Sequence, residues 1–298
     1  MGRKRIKETA SDRIFAWILN LLLILIVVVT LYPLIFVLSA SVSKPEIVNS
    51  GTFLLFPKEI SWEGYARIFN DSRIWTGYRN TILYTVSGTA LGVFSTLLGA
   101  YSLSRSDLVG RGWIMKLYLF TMYFSGGLIP TYLVVKQLKL TDTPYVLIVL
   151  GSISVYNIII ARSFFVQTIP RELFEAAAID GCGNGVFFFR IVLPLSKAIV
   201  AVLALFYAAG HWNSYFNALI YVSSEELYPL QLILRDILVG SQMIQQDVTD
   251  MESVLLMQQI AEQIKYGVIV VSTLPMLVLY PFVQKHFVKG VMIGSVKG

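Results

Sequence analysis

Side chains able to do covalent, acid–base or metal chemistry are sparse in this chain and poorly spaced for it. A single cysteine, Cys182, rules out an internal disulfide and a cysteine metal cluster. The two histidines, His211 and His286, lie far apart without ligand spacing. No paired carboxylates and no Ser/His/Asp constellation stand where they would make a nucleophile or a general base. A G-x-x-x-x-G-K-[ST] phosphate loop is missing. The glycines of Gly181-Cys182-Gly183-Asn184-Gly185 follow no strand that would make them a dinucleotide loop. An enzyme is therefore not expected, nor a cofactor or metal held by this chain.

The stretch with the most informative residue types does contact chemistry instead. It runs from Thr168 to Leu195 (TIPRELFEAAAIDGCGNGVFFFRIVLPL). Pro170 suits the first turn of a helix, where its missing N–H is not needed. Glu172 and Glu175 place negative charge near the positive end of that helix. Ala176, Ala177 and Ala178 are expected to give a nearly bare face. After Asp180, the glycines Gly181, Gly183 and Gly185 are expected to end the helix and turn the chain. Phe187, Phe188 and Phe189 begin a second short helix that leads through Ile191, Leu193 and Pro194 into an apolar run. A bare face lets a foreign surface come close while the carboxylates meet its basic groups. The plainer alternative is an amphipathic connector between membrane spans.

The elements that position this elbow belong to a membrane domain. Apolar residues make up 56% of the 298, charged residues 14%, and mean hydropathy is +0.68. A soluble domain usually carries about a quarter charged residues, so much of this surface faces something other than water. A span takes about 20 mostly apolar residues. Six candidates appear: Ile14–Leu38, Thr81–Leu103, Trp113–Val135, Tyr145–Phe165, Ile191–Ala209 and Tyr266–Val283. The third is interrupted by Ser125-Gly126-Gly127 and Pro130, and the sixth contains Pro275. The first is too long for a signal peptide and no small-residue cleavage site follows it. Gly88, Ala90, Gly92, Gly99 and Ala100 let the second pack closely against neighbours. The expected fold is all-α and integral to the membrane, six transmembrane helices with a cytoplasmic helix–turn–helix loop.

Charge sets the orientation. Arg3, Lys4, Arg5, Lys7 and Arg13, Arg105 and Arg111, Arg171 and Arg190, and Lys285, Lys289 and Lys297 all fall on one side of such a bundle. By the positive-inside rule both termini are cytoplasmic. The formal charge of +6 then serves orientation and not nucleic-acid binding. Residues 1–13 are expected to form an N-terminal cytoplasmic tail, 14–285 the six-helix transmembrane domain with its loop at 166–190, and 286–298 a C-terminal cytoplasmic tail. The outer loops are long: 39–78, with an amphipathic stretch from Trp62 to Phe69, and 222–264, with a helical pattern from Val248 to Ile264. No acidic residue lies mid-span, which argues against proton or sodium coupling. Lys197, near the start of the fifth span, can snorkel to the interface.

Glu175-Ala176-Ala177, Asp180-Gly181, Ile191 and Leu193-Pro194 together look like the EAA loop of ABC importer permeases. The tail Phe282–Gly298 (FVQKHFVKGVMIGSVKG) resembles that of the carbohydrate-uptake group, the MalG-like subunit of a two-permease pair. Tyr123–Tyr132 (YFSGGLIPTY) resembles the LplC-like subgroup, often linked to complex oligosaccharides. Cys182 departs from the pattern, where small residues such as Ala are usual. The resemblance implies a MalG-like permease fold in a bacterial cytoplasmic membrane and a set of partners: a second homologous permease, two ATPase subunits that hold ATP and Mg, an extracytoplasmic solute-binding protein, membrane lipid and a sugar. Glu172, Glu175, Ala176, Ala177, Ala178, Asp180, Gly181 and Pro194 would couple to the ATPase like a ball in a socket. Gly294, Ser295, Val296, Lys297 and Gly298 would reach between the ATPases.

Sugars bind through aromatic faces and dispersed hydrogen bonds, so two polar-aromatic places are candidates for the path. One is the break in the third span, with Tyr123, Ser125, Gly126, Gly127 and Tyr132. The other follows the fifth span, where Asn213 is favoured for the cavity and Tyr215 and Tyr221 for an interfacial belt. The competing readings are the same importer carrying another solute, such as a peptide or polyamine, and a stand-alone channel or secondary carrier.

Overall fold

Apolar on every side, the first span has no face to bury, and its residues from Thr9 to Ile35 are all exposed. In this computed structural model it is α1 (Ala10–Ser41), started by a capping box in which Thr9 and Asp12 satisfy each other's backbone N–H. The structure describes residues 9–50, 55–247, 264–278 and 281. The remaining helices are α2 (Pro45–Asn49), α3 (Glu63–Asn70), α4 (Ser72–Ser104), α5 (Arg111–Tyr123), α6 (Leu128–Gln137), α7 (Pro144–Val149) and α8 (Val155–Thr168). After them come α9 (Arg171–Ile179), α10 (Asn184–Phe187), a π turn (Phe188–Val192), α11 (Leu193–Leu195), α12 (Lys197–Trp212), α13 (Phe216–Tyr221), α14 (Leu230–Asp247) and α15 (Ile264–Val278). Among the described residues the one extended pairing is an isolated bridge between Ser43 and Ile60.

The chain divides into two compact units, residues 1–70 with 237–272, and 71–236 with 273–298. In the first, Phe36 meets Tyr266 edge to face at 5.8 Å, and the Tyr65 hydroxyl donates to Ser41 Oγ at 2.9 Å. The amphipathic helix expected over Trp62–Phe69 is α3.

The second unit holds the tightly packed seam. Of the small residues read along the second span, Gly88, Gly92 and Ala100 are buried, whereas Ala90 and Gly99 are not. A Cβ added at Gly88 would sit 2.4 Å from the His211 ring, and one at Gly92 would sit 2.9 Å from Ser152 O and the Tyr207 ring. These glycines are the notches that let α12 close on α4. The Tyr207 hydroxyl shares a buried hydrogen bond with Thr96 Oγ1 at 2.6 Å and accepts from the Ser154 N–H at 3.1 Å, tying α4 and α12 to the start of α8.

Among the described residues two helices, α1 and α4, are long and apolar enough to cross a membrane alone, and up to four spans result if each bent pair counts as one. Several expected spans are reshaped. The second begins at Ser72, because Asp71 accepts the Arg73 N–H and caps the helix there. The third is not one rod: α5 and α6 meet at 113°, with Gly127 in a positive-φ conformation at the break. Pro130 lies in the first turn of α6 and breaks nothing, since a first-turn N–H has no helical acceptor. The fourth divides into α7 and α8 at Gly151, whose φ is +89°, and restarts where Ser154 Oγ accepts the Asn157 N–H. The fifth starts at Lys197, because the turn ending at Leu195 lies at 82° to it. Most of the run expected to be helical over Val248–Ile264 lies outside the described residues, while α14 occupies a stretch read as loop.

Candidate functional site

The helix expected from the Pro170 signal forms as α9, with Pro170 just outside it as the N-cap and Glu172 in its first turn. The three alanines do not share a face. Successive helical residues are 100° apart, and Ala177 is buried at 8% exposure while Ala176 and Ala178 are exposed. The outward stripe is Glu172, Glu175, Ala176 and Ile179, at i, i+3, i+4 and i+7. Glu175 pairs with Arg171 Nε at 2.8 Å, and Ile179 is 87% exposed.

The turn after α9 rests on one glycine, not three. Gly181 adopts φ +73°, while Gly183 is ordinary extended backbone and Gly185 lies inside α10. The Cys182 N–H donates to Ala177 O at 2.9 Å and the Gly181 N–H to Ala178 O at 3.1 Å. This is the Schellman pattern, which satisfies the last carbonyls of the helix. Asp180 is its C-cap, with its N–H on Ala176 O. Nothing lies within 4 Å of a Cβ added at Gly181, so the glycine is there for its backbone.

The elbow is anchored from beneath. Phe187, Phe188, Val192 and Ala177 join the core that Leu97 and Leu103 of α4, Phe165 of α8 and Leu203 of α12 build. Phe174 meets Phe187 edge to face at 5.4 Å. Above Phe174, the Arg105 guanidinium lies 3.6 Å from the ring centroid and grips Asp107 through two bonds of 2.8 and 2.6 Å. Those bonds hold the Asp107 carboxyl below its usual range. From sequence, Arg105 counted only as an orientation charge, because no spacing rule links it to Phe174. Pro194 is exposed beside Phe189 and Lys197.

The candidate path residues do not gather in one place. Tyr123, Ser125, Gly126 and Gly127 lie on the exposed break between α5 and α6, where Ser125 Oγ accepts the Gly127 N–H. Tyr132 stacks at 5.9 Å on Tyr221, which is buried and so does not belong to a lipid-facing belt. Asn213 caps α12 and turns its amide back to Ala209 O at 2.9 Å. Its neighbours Ser214 and Asn217 instead line a cavity of about 470 Å³ with Tyr156, Asn157 and His211. The Gly151 break beside this cavity was the missed signal. The tail residues Gly294, Ser295, Val296, Lys297 and Gly298 lie outside the described residues.

No family model matches the chain. It is 43% identical over 288 residues to the polygalacturonan/rhamnogalacturonan transport system permease protein YtcP of Bacillus subtilis (strain 168), across 97% of this chain and 100% of that one. Protein LplC of the same organism is 42% identical over 270 residues, 91% of this chain and 90% of LplC. The crystal structure of a bacterial ABC transporter involved in the import of the acidic polysaccharide alginate contains a chain that superposes with a TM-score of 0.83 at 32% identity. That match covers 95% of this chain and 100% of that one. The chain belongs to the carbohydrate-uptake group of ABC importer permeases. As such a permease it is a nearly all-helical integral membrane protein that serves transport, and ATP hydrolysis lies in separate ATPase subunits. Its LplC-like stretch from Tyr123 to Tyr132 sits within a chain that matches LplC almost end to end.

Proposed function

We propose that this permease forms half of an oligosaccharide path together with a second homologous permease, and that α9 is its contact with one of two ATPase subunits. The chain crosses the membrane six times, with both termini and the elbow on the cytoplasmic side. ATP and Mg bind in the ATPase subunits, and a solute-binding protein delivers the sugar from outside. One observation carries the reading. The α9 stripe presents a large apolar side chain, Ile179 at 87% exposure, from a helix whose other face is fixed in the core.

A polar loop has no use for such a residue in water, but a socket on another protein does. Glu172, Glu175, Ala176, Ala178, Asp180 and Gly181 surround it with small or acidic groups. Phe174, Ala177 and Phe187 carry any displacement of α9 into α4, α8 and α12. Reversing a two-state equilibrium from 1:99 to 99:1 takes about 5.5 kcal/mol of differential binding, which ATP-driven closure and the loaded binding protein share. The Gly294–Gly298 tail is a second contact with the ATPases.

Sugar as cargo is supported by the names of the relatives, and by a cavity whose lining sets the hydrogen-bonding groups of Tyr156, Asn157, Ser214 and Asn217 among apolar residues such as Leu150 and Phe206. The break at Tyr123 and Ser125–Gly127 supplies a further wall of the path, and Asn213 and Tyr132 support its lining from behind.

The test is site-directed crosslinking in membranes. With Cys182→Ala removing the lone thiol, a cysteine at Ile179 is expected to crosslink to an ATPase subunit, with a yield that changes when ATP is bound. Capture of lipid alone, or of no ATPase at all, would remove the docking role.

A further inference from the structure

Beneath the elbow lies a cleft of about 460 Å³, bounded by the ends of α4 and α8 and the start of α9. Four arginines line it: Arg105, Arg111, Arg162 and Arg171. Arg105 is bound to Asp107 and Arg171 to Glu175. Arg111 and Arg162 have no carboxylate within ion-pair distance among the described residues. Two carboxylates against four guanidinium groups leave the cleft with two uncompensated positive charges.

Arg162 is the stranger of the two. It sits within α8, in an apolar window that reads as a membrane span, and a cation there is costly unless something meets its charge. Part of its role is ordinary. Arg162 Nε donates to Leu103 O at 3.0 Å and Arg111 Nη1 to Arg105 O at 3.1 Å, so both satisfy carbonyls left open at the end of α4. Each guanidinium carries five N–H donors, and no other hydrogen bond from either forms among the described residues. Two forks with spare donors, brought to carbonyls two residues apart, suit the paired oxygens of a phosphate. Val166, exposed on α8, and Ile169 add an apolar edge to the lining.

We propose that this cleft binds the phosphate of an anionic phospholipid headgroup, with Arg111 and Arg162 as its ligands and the exposed apolar edge at Val166 taking the start of an acyl chain. Basic pockets between helices at the cytoplasmic face recognise such headgroups. The occupant would lie against Phe174 and Arg171, so leaflet composition would bear directly on the elbow. The orientation assumed is that of the proposed function, and the experiment separates the two.

The whole complex, purified with its second permease and ATPases, is exchanged into phosphatidylglycerol or phosphatidylcholine and retained lipid is counted by native mass spectrometry. Phosphatidylglycerol is expected to stay and phosphatidylcholine to leave. Arg111→Gln with Arg162→Gln is expected to weaken phosphatidylglycerol retention about thirtyfold, since each arginine near an anionic lipid contributes roughly fivefold. Equal retention of the two lipids by the wild-type complex overturns the site, whether or not the variant assembles. Unchanged retention in an assembled variant overturns it too. Inorganic phosphate is titrated into lipid-depleted complex as a second arm. A thermal shift equal to that from the lipid assigns the same arginines to free phosphate. If the lipid result fails while the ATPases still co-purify, the docking reading stands alone.

Discussion

At Gly88 and Gly92 an added methyl group has no room, whereas at Gly181 it has nothing but room. In the α4–α12 seam glycine is required by what lies opposite: the His211 ring, the Tyr207 ring and the Ser152 carbonyl. In the elbow it is required by the chain itself, because φ of +73° is a conformation that L side chains rarely adopt. The seam therefore stores its specificity in side-chain volume, and the elbow stores its own in backbone shape and in what it shows to solvent. Damage to the first is expected to unmake the membrane domain. Damage to the second is expected to leave a well-folded domain that cannot be driven.

Gly92→Val is the strongest test of that contrast. Its branched side chain would press on Ser152 O and the Tyr207 ring, and overpacking of this kind typically costs about 1–3 kcal/mol and occasionally more. Detergent-stable complex is expected to be largely lost, measured as yield by size-exclusion chromatography. A Cβ added at Gly99 in the same helix meets nothing within 4 Å, and the effect of Gly99→Val is expected to stay within about 0.5 kcal/mol. Equal losses from the two would mean that helix propensity, and not the notch, decides.

A smaller effect on stability, but a complete one on transport, is expected at Gly181. Asn and Asp both tolerate the left-handed region and differ from each other mainly in charge. Gly181→Asn is expected to keep insertion and much of the uptake. Gly181→Asp is expected to keep insertion and lose uptake, because it adds a carboxylate beside Asp180 at the docking surface. Normal uptake by the Asp variant would contradict the docking role, and equal failure of both would place the defect in size or strain.

The division between legible and hidden features follows the same line. α1 was legible because an unbroken apolar run needs no partner to be recognised, and α9 because proline, acidic and glycine signals act locally. The break at Gly151 was readable in principle from Gly151-Ser152, but the apolar residues on both sides concealed it. Arg162 was concealed in the same way, inside a window whose average hydropathy makes one charge easy to pass over. The sharing of Ala176, Ala177 and Ala178 between core and solvent needed the helical period to be applied residue by residue. Arg105 on Phe174, and His211 against Gly88, are long-range contacts, and no local pattern in either segment points to the other.

The smallest expected effect belongs to a third kind of joint, made by hydrogen bonds and neither by volume nor by backbone shape. Asp142, in the connection between α6 and α7, accepts from the Ser224 hydroxyl at 2.7 Å and from the Ser223 and Ser224 N–H groups at 2.9 Å. The Ser224 hydroxyl, then the two backbone donors, hold its carboxyl below the usual carboxylate range. A lowered folded-state pKa means that the unfolded chain takes up the proton first. The stabilisation is therefore fully present above the ordinary aspartate value of 3.8 and is lost as pH falls from there through the folded one. Amide exchange at Ser223 and Ser224 reads the clip directly. Wild type is expected to be better protected than Asp142→Asn at neutral pH, and the gap to narrow as the solution is acidified below the ordinary aspartate value of 3.8. No gap at neutral pH would mean the loop is held by packing around Tyr221, with the carboxylate a bystander.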